Sequence, residues 1–305
     1  MSEYEFFGAS TGGGGLVQDM HGAMSFEDYR SIDALNNSLI NHLAKSPAHF
    51  KHELEHPTER TSDALRFGTL AHAGVLERER LSERYAIIPP YEDVISAVVP
   101  RSTNSYKAKV AEFRESVSPR EAVTQEQWDR MEGVCTSIDA CEPARLAFRE
   151  GKPEQTLIWR DPDHHIWCKA RPDFVKIGAG MLCDLKTTRD ASDFGRAVAM
   201  YGYDRQAAWY LRGARALGID ATTFFFVAVE STAPYGVTAA PLDPETLADG
   251  EAQIRHLLNV FARCMVTDEW PGYEQPETFA KPDWSFKFKR EQKRMMTIGG
   301  TQIEI

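Results

Sequence analysis

Apolar residues recur at helical spacing after Ser31, at Leu35, Leu39, Ile40 and Leu43, and the run breaks at Ser46-Pro47. Residues 61–79 read as a second helix, with Ala64, Leu65, Leu70, Val75 and Leu76 as its apolar positions. Residues 85–88 read as a short strand ending at Pro89-Pro90, and 91–105 as a loop. Helices are expected over 107–116 and 124–142, and Pro143 opens a further short one. The pattern then shortens to strands over 154–159, 166–168, 173–177 and 181–186, with turns at Asp161-Pro162-Asp163 and Gly178-Ala179-Gly180. A single helix is expected over 193–217, ending at Gly218. A β-prone run follows over 222–230, centred on Phe224-Phe225-Phe226-Val227. The last helix covers 244–266, with Asp243 as its N-cap. This order predicts an α/β domain: a mixed central sheet flanked by helices, with a helical N-terminal subregion.

Outside that pattern, residues 1–25, with the glycine run from Thr11 to Gly15, read as a flexible leader. The run lacks the preceding strand and following Lys-bearing helix of a phosphate loop. Residues 26–280 form the expected single domain. Residues 281–305 form a basic tail carrying Lys281, Lys287, Lys289, Arg290, Lys293 and Arg294, which reads equally as a phosphate contact or a solvated end.

Composition changes the picture little. The 305 residues are 42% hydrophobic and 26% charged, ordinary for a globular chain. Cys135, Cys141, Cys168, Cys183 and Cys264 form no CxxC pair, which points to a reducing cytoplasm and away from structural zinc. No secretion signal or membrane association is expected. The net charge of −10 argues against a polyanionic partner unless carboxylates are concentrated at a site where cations offset them.

The candidate chemistry lies in Arg171-Pro172-Asp173 and Asp184-Leu185-Lys186. Asp184 and Lys186 are two apart in a strand and so share a face. Asp173 starts the preceding strand, and a Gly-rich turn makes the two a hairpin, bringing two carboxylates and an ammonium together. Hard oxygen ligands of this kind suit Mg2+, with Mn2+ as substitute, and the set suits phosphodiester hydrolysis. The Lys would position or deprotonate water, or neutralise developing charge. An isolated D-x-K is more often a surface ion pair, so three further features matter. His72, in Gly68-Thr69-Leu70-Ala71-His72, offers a metal or phosphate ligand on a small-residue helix. Gln206 and Tyr210, at i and i+4, share a helix face and would orient the Lys or a phosphate. Glu154, on a strand before Asp173, would complete a metal shell. Each also has an ordinary reading as a surface histidine, a polar helix edge or a strand-end acid.

Taken in order, these residues resemble the RecE-like exonucleases, a phage and prophage PD-(D/E)xK family with a restriction-endonuclease-like core, related to the nuclease domain of RecB. The likeness spans residues 26–284 and includes Asn37 to Phe50, Phe67 to His72, Lys169 to Phe174, Asp184 to Thr188, the Gln206/Tyr210 helix and Trp270-Pro271-Gly272-Tyr273. It implies a metal and catalytic site of His72, Glu154, Asp173, Asp184 and Lys186, supported by Gln206 and Tyr210. It also implies Mg2+-dependent 5′-to-3′ degradation of linear duplex DNA, leaving 3′ single strands for an annealing protein, by a homo-oligomeric ring acting on DNA ends. The matching N-terminal segments make Arg66, Ser38 and Lys45 candidates for substrate phosphate. Arg101, Ser102 and Thr103 read as a surface loop in preference to a DNA clamp. Only Cys264 follows Cys183, which excludes the iron–sulfur cluster of some relatives. Two alternatives remain: an endonuclease or single-strand nuclease of this fold, and a non-catalytic DNA-binding recombination scaffold.

Overall fold

A computed structural model describes residues 18–22, 24–58, 61–91, 100–275, 278, 295–298 and 301–304. The chain divides into a unit of residues 1–271 and a unit of residues 272–305.

The first unit begins with strand β1 (Asp19–His21), then helices α1 (Phe26–Ser31), α2 (Asn37–Lys45), α3 (Pro47–Glu55) and α4 (Asp63–Leu76). Local polar groups set these boundaries. Asn36, Ser46 and Ser62 each accept a hydrogen bond from a backbone N–H in the first turn of the helix that follows, and Pro47 occupies the first turn of α3. Helix α5 (Leu81–Arg84) leads into β2 (Tyr85–Ile87), which pairs in parallel with β3 (Glu121–Val123) across helix α6 (Asn104–Val117). Helix α7 (Gln125–Ala140) opens on a reciprocal capping box between Thr124 and Gln127, and α8 (Glu142–Ala147) follows.

The strands expected over 154–186 fall into two sheets. Strands β5 (Thr156–Arg160) and β6 (Trp167–Ala170) pair with each other and with β1. The short β4 (Lys152–Pro153), β7 (Phe174–Lys176) and β8 (Met181–Thr188) belong to a five-stranded sheet. Helices α9 (Phe194–Tyr201) and α10 (Tyr203–Ala216) then precede β9 (Thr223–Glu230), which runs parallel to β8, and β10 (Val237–Pro241) closes the other edge. Helix α11 (Pro244–Thr267) completes the unit, capped by Asp243 as its sequence suggests. In the second unit, β11 (Met295–Ile298) and β12 (Thr301–Glu304) form a hairpin.

Several expectations change. Residues 19–21 of the expected leader form β1, held by β5. The glycine run and the basic residues from Lys281 to Arg294 lie outside the described residues. The expected loop over 91–105 ends in a 3₁₀ turn at Pro100–Ser102, and Thr103 caps α6 by accepting from the Tyr106 N–H. The single helix expected over 193–217 is two, because Gly202 takes a left-handed conformation (φ 67°) between them. Strand β10 went unforeseen, its residues being mostly exposed and so without an apolar alternation.

The period of two along β8 separates the faces of the large sheet. Leu182 packs with Phe224, Phe226, Trp159, Trp209 and the apolar side of α10 and α11. Cys183 and Leu185 pack with Val227, Val229 and the apolar sides of α4 and α7. Asp184 and Lys186 therefore continue the Leu182 face, toward α10. Helix α4 lies close on the opposite face, where a Cβ at Gly68 would sit 3.4 Å from the Thr187 hydroxyl.

Gly213 shows how tightly α10 is packed. A Cβ there would lie 2.7 Å from a carbon of the fully buried Trp159 ring. Helix propensity favours alanine over glycine by about 1 kcal/mol, but overpacking a filled core costs about 1–3 kcal/mol. Gly213→Ala is therefore expected to lower stability by about 1 kcal/mol, read as a lower urea midpoint. A raised midpoint would show that Trp159 has room to move.

Candidate metal and catalytic site

The β7–β8 hairpin builds the centre of the site. Its register pairs Phe174 with Cys183, which brings the preceding Asp173 alongside Asp184. Asp173 is then locked in place, because its Oδ2 accepts the Leu185 N–H at 2.7 Å. Helix α4 brings His72 to the same oxygen, Nδ1 lying 3.4 Å away. Gly68 and His72 are four apart on α4, so His72 lies on the same helix face as the residue that meets Thr187. The fourth group, Glu154, sits between β4 and β5 with φ 51°, and its N–H donates to the Asp173 carbonyl at 2.9 Å. One ligand atom each from His72, Glu154 and Asp173 lies within 4.8 Å of the others.

Asp184 lies beside this trio and is differently engaged. It is buried, and its Oδ1 accepts from Gln206 Nε2 at 3.0 Å. The same amide donates to the Tyr210 hydroxyl at 3.1 Å, so Gln206 and Tyr210 share a face as their spacing predicts. What Gln206 orients is Asp184, whereas the expectation was the Lys or a phosphate. Lys186 Nζ is 2.5 Å from Asp184 Oδ2, a close ion pair. Both Asp184 oxygens are thus engaged, Oδ1 by Gln206 and Oδ2 by the Lys186 ammonium.

The electrostatics follow from crowding. Burial, then the charge of Asp173, pushes Asp184 up to about 6. Burial and Asp173 likewise raise Glu154, although Arg171 pulls it down. Asp173 goes the other way: burial would raise it, but His72, Lys186 and the Leu185 N–H together hold it below its usual value. Burial alone would lower His72 and Lys186, and the neighbouring carboxylates more than offset this and raise both. With three acids in one space, two are held reluctant to ionise. A divalent cation would relieve that repulsion. Carboxylate oxygens and one imidazole gathered within 4.8 Å fit such an ion.

Two functional contacts were not foreseen in the sequence. Arg171 Nε donates to Glu154 Oε2 at 2.7 Å, and its NH1 donates to the Met24 carbonyl at 2.9 Å, so it ties Glu154 to the segment entering α1. Its place beside Pro172-Asp173 was the available signal. Lys186 Nζ also lies 4.7 Å from the centre of the Tyr203 ring, for which the sequence offered only a nearby aromatic.

The remaining candidates lie apart from these contacts. Ser38 and Lys45 are exposed on α2, and no described hydrogen bond or ion pair joins them to the acids. Arg66 is exposed on α4 and lines a separate recess with Arg114 and Arg130. A second acid group, Asp161, Asp163 and His164, has the spacing of metal ligands. There the Arg212 guanidinium contacts both carboxylates at 2.6 Å, so the cation's place is already filled.

Residues 36–282 match the model of a PDDEXK-like domain of unknown function, DUF3799. No curated protein matches the chain. Among solved structures, a "Putative exonuclease" from Eubacterium rectale is similar, at 15% identity and a TM-score of 0.53, over 87% of this chain and 99% of that one. An alkaline exonuclease from Laribacter hongkongensis aligns at 14% identity and a TM-score of only 0.27, over 63% of this chain and 97% of that one. The first of these likenesses bears on the fold, which is the mixed, helix-flanked sheet expected of the PD-(D/E)xK class. With the family match covering most of the chain, the protein belongs to the PDDEXK-like DUF3799 family.

Proposed function

We propose that this protein is a Mg2+-dependent exonuclease that degrades linear double-stranded DNA, 5′ to 3′, to leave 3′ single strands for an annealing partner. The observation that carries the nuclease reading is the gathering of His72, Glu154 and Asp173 within 4.8 Å, beside the Asp184–Lys186 pair. End-dependence, polarity, the annealing partner and a ring of subunits rest on the resemblance to RecE-like enzymes. A ring would also let modest basic patches add up on a chain of net charge −10. Arg66, Ser38 and Lys45 remain candidates for more distant phosphates.

His72, Glu154, Asp173 and Asp184 would hold the metal. A bound Mg2+ at such a site supplies Lewis acidity toward a phosphate oxygen and makes water a better nucleophile at neutral pH. The protein's own groups do the rest. Gln206 fixes the rotation of Asp184 by holding Oδ1, and Arg171 fixes Glu154. Lys186 is kept protonated by Asp184 and Asp173 in the metal-free site, despite its burial. Of the two roles open to it, this favours offsetting negative charge on the phosphate over taking a proton from water.

Lys186→Ala should lower kcat on linear duplex DNA by roughly 10²–10³-fold while the protein still binds Mn2+, because the loss is of charge stabilisation. Equal activity in both proteins would sink this role, and an inactive wild type would sink the nuclease assignment. Covalently closed circular duplex should survive while linear duplex is consumed, and its cleavage would favour an endonuclease.

Asp184 is raised to about 6 and His72 is also raised, so both take protons as pH falls. A protonated carboxyl or imidazole is a poor ligand. The kcat/KM profile should therefore fall on its acid side as pH drops through about 6, and rise toward neutral pH. A flat profile between pH 5 and pH 7, about one unit either side of the Asp184 value, would contradict this assignment.

A further inference from the structure

An aromatic column leads from the buried site to the surface. Tyr210, which holds Gln206, lies against Phe224, with ring centres 6.0 Å apart. Phe224 meets Phe226 at 4.9 Å, Phe226 meets Tyr203 at 5.9 Å, and Tyr203 meets Tyr201 at 5.6 Å. The column thus ends in solvent: Tyr201 is 58% exposed and its neighbour Met200 is 60% exposed. Both lie at the C-terminus of α9, and the Tyr203 ring that Tyr201 meets lies 4.7 Å from Lys186 Nζ.

The placement of Tyr201 is specified by its surroundings. The chain turns at Gly202 with φ 67°, and any Cβ there would run into the Arg205 guanidinium. That guanidinium is itself held by Asn41 Oδ1 at 3.2 Å and Gln253 Oε1 at 2.8 Å. The corner between α9 and α10 is therefore fixed by packing and polar contacts, and with it the ring that the corner presents. Residues 189–201 carry two arginines and two aspartates, so what the segment offers a polyanion is its two guanidiniums and not a net charge. Arg189, just past the end of β8, and Arg196, four residues before Met200 on α9, are exposed, and neither has a side-chain hydrogen bond or ion pair among the described residues. On a chain with more acids than bases, two uncommitted guanidiniums on the segment that carries an exposed aromatic are a specific arrangement.

We propose that Tyr201, with Met200, forms a shelf on which a nucleobase of the strand being cut stacks, while Arg189 and Arg196 meet phosphates of that strand. This rests on the nuclease reading and adds to it a requirement: neighbours cover both faces of a base inside the duplex, so only a terminal base or one that has left the stack reaches the shelf. Stacking on an aromatic side chain is tolerant of base identity, so the shelf would favour unpaired ends without reading sequence.

The test uses a single-stranded oligonucleotide with 2-aminopurine at each of the first few 5′ positions in turn, and Ca2+ in place of Mg2+ to hold back cleavage. Wild type is expected to quench the fluorescence at one position. Tyr201→Ala should lose that quenching and bind about tenfold more weakly, a change within the range of one base stack. Tyr201→Phe should behave as wild type. Quenching that is unchanged in Tyr201→Ala, or absent at every position in wild type, overturns the shelf. If quenching is unchanged but Tyr201→Ala alters the sedimentation coefficient, the surface is instead a contact between copies of the chain. Digestion of linear duplex by the same wild-type preparation separates the two readings: digestion without quenching leaves the nuclease standing and removes only the shelf.

Discussion

Like-charge crowding around Asp173 organises this protein. Its carboxylate is fastened to the Leu185 N–H and faces His72, and its charge raises both Glu154 and Asp184. Left alone, such a cluster is costly, since buried charges of one sign repel in a medium that screens poorly. Every neighbouring feature answers that cost. Lys186 sits against Asp184, Arg171 against Glu154, and Gln206 holds the remaining Asp184 oxygen. The acids still outnumber the cations placed among them, and a divalent ion held by His72, Glu154 and Asp173 would offset the remaining charge.

The scaffold makes the crowding possible. Two strands joined by a short turn bring Asp173 alongside Asp184, and the two-residue period of β8 sends Asp184 and Lys186 toward α10 while Leu185 enters the core on the other face. Helix α4 reaches the cluster by packing Phe67, Leu70, Ala71 and Ala73 with Cys183 and Leu185 of β8. Helix α10 delivers Gln206 and Tyr210 from one face, and Gly213 lets that helix seat against Trp159. The site is thus carried by tightly packed regular elements, which suits a geometry that must hold repelling groups together.

How much of this is visible in the sequence depends on the range of the interaction. The hairpin, the Asp184–Lys186 face and the Gln206–Tyr210 pair follow from local periodicity and spacing. His72 and Glu154 do not, because α4 and the β4–β5 connection reach the site only through tertiary packing. Their assignment came from the ordered resemblance to a nuclease family. Arg171 was in plain view but its partner Glu154 is 17 positions away, and no spacing rule links them. The helical pattern runs unbroken over 193–217, whereas the left-handed turn at Gly202 divides α9 from α10. The strand run over 154–186 was read as one antiparallel series because the periodicity of a strand carries no record of which sheet it joins.

The central claim is that the carboxylates around Asp173 hold a divalent cation. Calorimetric titration of the metal-free protein with Mn2+, comparing wild type with Asp173→Asn, tests it most directly. Asparagine keeps the shape and removes the charge, so a folding defect is not built into the comparison. The account predicts saturable binding in wild type and its loss, or a weakening of roughly 10–100-fold or more, in the variant. Equal Mn2+ binding by the two proteins, or none by wild type, would contradict it.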